Sequence, residues 1–142
     1  MSFDLKIVGN DLAMNPDGSA QTVRDNEKLK QDILKAILTA RGGNRFHQWY
    51  GSTVSERLIG QVLDNSQLVA EASSAVQETL STLMALQTAQ ARVQYVSPGE
   101  TLAAIRDVRV ARDASDPRQW SITVEVLTRQ LTTVEETFLL TL

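Results

Sequence analysis

The stretch from Asn26 to Ser52 constrains this chain most: an amphipathic helix pattern, a Gly-Gly break, and a compact aromatic segment closed by a third glycine. Leu29, Ile33 and Ile37 recur at i, i+4, i+8, and Leu34 and Leu38 fill the next row, so one wide apolar stripe faces a core. Lys28, Lys30, Gln31 and Lys35 fall on the other side. Asp25 or Asn26 is placed to cap the helix, with Glu27 in the first turn where the helix dipole favours negative charge. Gly42-Gly43 is expected to end it, with Arg41 in the last turn.

Before this stretch, Phe3, Leu5 and Ile7 alternate with Asp4 and Lys6, which predicts a short strand over Phe3–Val8. Asn15-Pro16-Asp17-Gly18 is a turn sequence, so Leu12–Val23 reads as a lead-in or small hairpin arm. After it, Ser52 or Thr53 with Glu56 resembles a capping box for a short second helix. Its apolar face is Val54, Leu58, Ile59, Val62 and Leu63. Val69, Ala72, Val76, Leu80, Leu83 and Leu86 then mark a long third helix over Gln67–Arg92, long enough for one end to project or meet a partner. Ser97-Pro98-Gly99 breaks it. Strands follow at Ile105–Ala111, at Trp120–Thr128 and at Val134–Leu142. Strand, helices, then an antiparallel β-meander is an α+β order, and 142 residues suit one domain over 1–142.

Composition narrows function by exclusion. A net charge of −3 supplies no basic field for nucleic acid and no polybasic membrane signal. No apolar run approaches the ~20 residues of a membrane span, and no secretory pattern opens the chain, so a soluble product is expected. With no cysteine and only His47, disulfides, thiol chemistry and Cys-ligated zinc are excluded, and neither a metal nor a cofactor is expected. A Ser-His-Asp triad would have to use His47, whose nearest acids in sequence are Asp32 and Glu56. Asn15–Gly18 lacks the spacing and terminal Glu of a calcium loop. Gly42-Gly43-Asn44-Arg45 follows a helix C-terminus, where the dipole repels anions. Phe46, Trp49 and Tyr50 beside Arg45 are read as an aromatic plug sealing the helix corner in preference to a platform for a base or sugar. Glu27, Glu56, Glu71, Glu78 and Glu100 leave a glycosidase pair conceivable, although most fall on polar helix faces or caps. No catalytic residue is assigned.

Gly9-Asn10-Asp11, Asp17-Gly18, Gln31, Thr39, Gly42 and Tyr50-Gly51-Ser52, in this order and spacing, resemble the baseplate wedge family of contractile phage tails. That family includes W-type wedge proteins, sheath initiators of phage-tail-like bacteriocins and a subunit of the type VI secretion baseplate. The likeness covers roughly Asp4–Gln61, with the long helix and C-terminal strands following in the expected order. It implies a non-enzymatic virion component of the tail baseplate, made in the bacterial host cytoplasm. Its implied partners are the tail sheath subunit, other wedge proteins and central spike or hub proteins, without nucleic acid or membrane. Thr39, Gly42, Tyr50, Gly51 and Ser52 carry over as a motif corner. Two departures stand: Val96-Ser97-Pro98-Gly99-Glu100 lacks the Glu-Pro-Arg motif common in relatives, and Gly42-Gly43-Asn44 replaces the commoner Gly-Glu.

The residues offer a mechanism for the implied role. The last strand has no Lys or Pro to blunt Phe138, Leu139, Leu140, Thr141 and Leu142. An apolar strand edge of this kind is either covered or used for pairing. These five, with Val124 and Val126, form the candidate partner interface. The alternative is that Val134–Leu142 is central in the sheet and Trp120–Thr128 lies nearer the edge. Two other functions stay open: a lysozyme-like peptidoglycan glycosidase, and a tail-completion or head–tail adaptor.

Overall fold

The computed structural model describes residues 2–142. The N-terminal strand is not continuous. β1 (Asp4–Leu5) pairs antiparallel with β4 (Thr22–Val23), whereas β2 (Ile7–Val8) pairs with β3 (Asp11–Leu12). Lys6 is the pivot: its N–H donates to the Gln21 carbonyl at 2.8 Å and its carbonyl accepts from the Ala13 N–H at 2.9 Å. Gly9 and Asn10 close the β2–β3 hairpin with φ of 58° and 68°, the left-handed pair that matches strand twist. The result is a small β-arm lying on the first helix. Phe3, Leu5 and Ile7 remain largely exposed on it, contrary to a buried alternating strand.

α1 (Asp25–Leu38) buries Leu29, Ile33 and Ile37 as expected. Its ends differ from the expectation. Arg24 occupies the cap position in extended backbone with no side-chain cap, and Asp25 instead accepts from the Ser97 hydroxyl at 2.6 Å. The helix stops before Arg41 and Gly42-Gly43, because Thr39 turns out to pair: its carbonyl accepts from the Ser52 N–H at 2.8 Å, and the Arg41 N–H reaches the Ser52 carbonyl at 3.0 Å. Lys28 and Gln31 are buried, not solvated, since the β-arm and the long helix cover that side. Leu38, by contrast, is half exposed.

α2 (Val54–Leu58) is a short helix that buries Val54 and Leu58. Thr53 caps it without a side-chain bond, so the expected capping box is absent, and Ile59, Val62 and Leu63 lie past its end, exposed. The capping box forms one element later. Asp64 accepts from the Gln67 N–H at 2.8 Å while the Gln67 side chain accepts from the Asp64 N–H at 3.2 Å, which starts α3 (Asn65–Gln90). Over 26 residues α3 buries Leu68, Ala72, Val76, Leu80 and Leu83. No helix among the described residues is long and apolar enough to cross a membrane.

A single 3-10 turn, Pro98–Glu100, leads into β5 (Leu102–Arg112), β6 (Gln119–Thr128) and β7 (Thr133–Thr141). Gln87 on α3 clamps the entry: its amide N–H donates to the Glu100 carbonyl and its oxygen accepts from the Leu102 N–H, both at 2.8 Å. The three strands form an antiparallel sheet in the order β5-β6-β7, which makes the fold α+β. β6 is central and alternates strictly, with Trp120, Ile122, Val124, Val126 and Thr128 all buried. Those residues face the helices, α3 lying over β5 and α1 over β7, and close one core with Leu29, Ile33, Val76 and Leu80. The other sheet face is not covered by a helix and carries Ser121, Thr123 and Glu125.

Candidate assembly surfaces

The motif corner is a rigid device. Gly51 sits at φ 108°, and a Cβ there would lie 2.5 Å from the Thr39 carbonyl oxygen, so only glycine lets the returning chain meet the helix end. Ser52 is buried and donates its hydroxyl to the Ile37 carbonyl at 2.6 Å, taking up a carbonyl the helix end leaves free. Gly42, at φ 82°, donates its N–H to the Gln48 carbonyl. Thr39 donates its hydroxyl to the Lys35 carbonyl at 2.6 Å. Tyr50 is half-buried beside a chain of alternating charges. Lys28 pairs with Asp32 at 2.7 Å, Asp32 with Lys35 at 3.3 Å, and Lys35 with Asp4. Burial raises the Tyr50 phenol against the opposing Lys35 charge. Burial alone would also raise Asp4, but the hydrogen bonds from Lys35 and Gln31 and the Lys35 charge outweigh it and hold that carboxyl below its ordinary value. Lys35 answers in kind: burial would lower it, and Asp4 and Asp32 together raise it.

The aromatic residues do not plug the corner. Phe46 and Trp49 point outward, 86% and 48% exposed, and only Tyr50 turns in. Asn44 holds the turn by accepting from the Phe46 and His47 N–H groups. His47 and Tyr50 meet the Trp49 ring edge to face at 5.7 and 6.1 Å between centroids, and with Asn44 and Leu86 they line a cleft of about 330 Å³. His47 is exposed, and no group of three His, Asp or Glu among the described residues is placed to hold a metal.

Of the carboxylates weighed for a glycosidase pair, Glu27, Glu56 and Glu71 are exposed, and both oxygens of Glu78 accept from Arg57 Nη2 at 2.9 Å. Glu100 is the exception. It is 1% exposed, and neither carboxylate oxygen has a hydrogen-bond partner among the described residues. The 3-10 turn that carries it packs on α1, near enough for a Cβ on Gly99 to lie 3.3 Å from Asp25 Cβ. A Pro-Gly-Glu sequence reads as a solvated turn, so periodicity gives no warning of this burial.

The sheet offers a second surface. β7 is bonded to β6 alone, so its outer edge is open. Phe138 is buried against Ile122, its register partner, and Leu140 and Leu142 are half-buried on the same side. Leu139 and Thr141 are exposed on the uncovered face. Val124 and Val126 lie elsewhere than an interface requires: both are buried on the helix side of the central strand, flanked by β5 and β7, where an added strand does not reach. The opposite edge is blunted. β5 shifts register between Leu102 and Ala104 and again between Ile105 and Asp107, and it carries Arg106, Arg109 and Arg112.

No family model matches this chain, and no curated protein does. Among solved structures it resembles a Geobacter sulfurreducens protein provisionally described as a tail lysozyme, with a TM-score of 0.61 over 82% of this chain and 89% of that one. At 16% identity the likeness establishes a shared fold alone.

Proposed function

We propose that this chain is a structural component of a contractile phage tail or tail-like particle, a baseplate wedge protein that joins the wedge to the first sheath ring. The observation that carries the mechanism is the open β7 edge, apolar over its last residues, on a sheet whose other edge is bulged and charged. The fold shared with a protein described as tail-associated and the motif corner at Thr39–Ser52 support the setting. In this reading a sheath strand adds to β7, other wedge proteins or a central spike or hub hold the rest of the subunit, and no catalytic step is involved.

The test is co-assembly with the matching sheath subunit, followed by electron microscopy of sheath nucleation. Deleting Phe138–Leu142 would also remove a core residue, because Phe138 is buried. A Leu139→Lys/Thr141→Lys variant alters only exposed positions and is the cleaner probe. Nucleation is expected to fall sharply in a variant that still melts cooperatively; undiminished nucleation would sink the strand-pairing mechanism.

The description of the structural neighbour favours a second reading, a peptidoglycan glycosidase. Release of soluble muropeptides by the purified chain, lost in Glu27→Gln or Glu56→Gln, would establish it.

A further inference from the structure

We propose that the strand received by β7 is basic at the end lying along Glu135 and Glu136 and apolar at the end lying along Phe138–Leu142. This rests on the strand-pairing reading above and names the chemistry of its partner.

The two halves of β7 differ. Thr133–Thr141 holds no cation and two acids, both in its first half. Glu135 stands on the uncovered face in register with Glu125, which stands in register with Asp107. Three carboxylates thus line up across the sheet. Arg109 is their one ion-pair partner among the described residues, 3.1 Å from Asp107 and 3.5 Å from Glu135. Like charges set directly opposite destabilise a sheet, so the row is left with an excess of two negative charges. Glu136 points to the other face, in register with Val124, into a cleft of about 180 Å³ that Lys6 of the β-arm and Lys30 of α1 also line. Lys30 pairs with Glu27 at 3.2 Å, and among the described residues neither lysine forms an ion pair with Glu136. Both acids therefore flank the edge, one on each face. An added strand puts a side chain about 5 Å from each acid. A cation beside Glu135 relieves the row, a cation beside Glu136 pairs with that carboxylate on the other face, and an acid at either position adds repulsion.

Past Thr137 the requirement changes. Leu139 is exposed and Leu140 and Leu142 are half-buried, so strand neighbours there gain by covering apolar surface. A second copy of this chain does not supply both halves of the match on one regular strand. Its β7 is equally acidic. Its arginine-bearing β5 has the right charge, but two register shifts interrupt the ladder.

The experiment uses the full chain, ¹⁵N-labelled, and ten-residue peptides of alternating Val, Ile and Thr with two adjacent lysines at one end, made with the lysines first and with them last. Matched peptides carry glutamate in place of lysine. A lysine peptide is expected to bind about tenfold tighter than its glutamate counterpart, to shift the amides of Thr133–Thr141, and to lose that preference in Glu135→Lys. Equal binding of lysine and glutamate peptides overturns the charge assignment while strand pairing stands. Binding of neither, in either direction, overturns the strand-pairing reading as well. Concentration-dependent self-association in sedimentation, abolished by Glu135→Lys, overturns the choice of partner in favour of a second copy.

Discussion

Gly51 is the position where one added carbon does most harm. Alanine there meets both a left-handed φ and a carbonyl oxygen at 2.5 Å, and the returning chain cannot move away without breaking the Ser52 bonds to Thr39 and Ile37. Gly51→Ala is expected to cost about 2–4 kcal/mol, read as a lower denaturation midpoint at unchanged slope. Glu100 predicts the opposite sign. A buried carboxyl with two orphan acceptors is a standing cost, so Glu100→Met is expected to stabilise by about 1–3 kcal/mol in the same measurement. Asp4 brings pH into the β-arm. Its carboxyl is held low in the fold, so its contribution is complete at neutral pH and is lost as pH falls below the ordinary aspartate range near 3.9. Amide exchange at Ile7, whose N–H bonds the same Gln31 that bonds Asp4, should accelerate through that acid window before the α3 amides do. Lys35 and Tyr50 are raised, and theirs is lost on the alkaline side. The sequence motif marks Gly51 and Ser52, whereas the burial of Lys28, Gln31 and Glu100 follows from which elements land on them, which no local pattern records.

At the scale of elements, periodicity identified what each segment is and tertiary pairing decided where it ends. The apolar stripe of α1 is legible in Leu29, Ile33 and Ile37. Its end is not, because Thr39 is drawn out of the helix by a strand-like bond to Ser52, thirteen residues on, and not stopped by the glycines. Asp64-Asn65-Ser66, by contrast, is legible as the break where the next helix starts, and in the fold Asp64 caps that helix. Asp64→Ala removes an acceptor for the Gln67 N–H and is expected to cost about 1 kcal/mol, a fall in melting temperature of roughly 2–8 °C. The meander was legible throughout: strict alternation over Trp120–Val126 requires one buried face, and that strand proved central, which puts Val134–Leu142 at the edge.

For the whole molecule, the order of elements conveyed the α+β class, but not how the β-arm, split at Lys6, would be bound to α1 through Gln31 and Asp4. Such long-range bonds depend on side chains meeting across 24 or more residues. The difference between the two borders of the three-stranded sheet has a consequence for counting. By strand pairing alone, a chain with one closed border and one open border accepts a single guest and offers nothing behind it for another to follow. Such a chain can stand at the head of a row and never in its middle. Under the proposed strand pairing, the number of rows would equal the number of copies of this chain held in place, and it would stay the same however much of the following subunit is made.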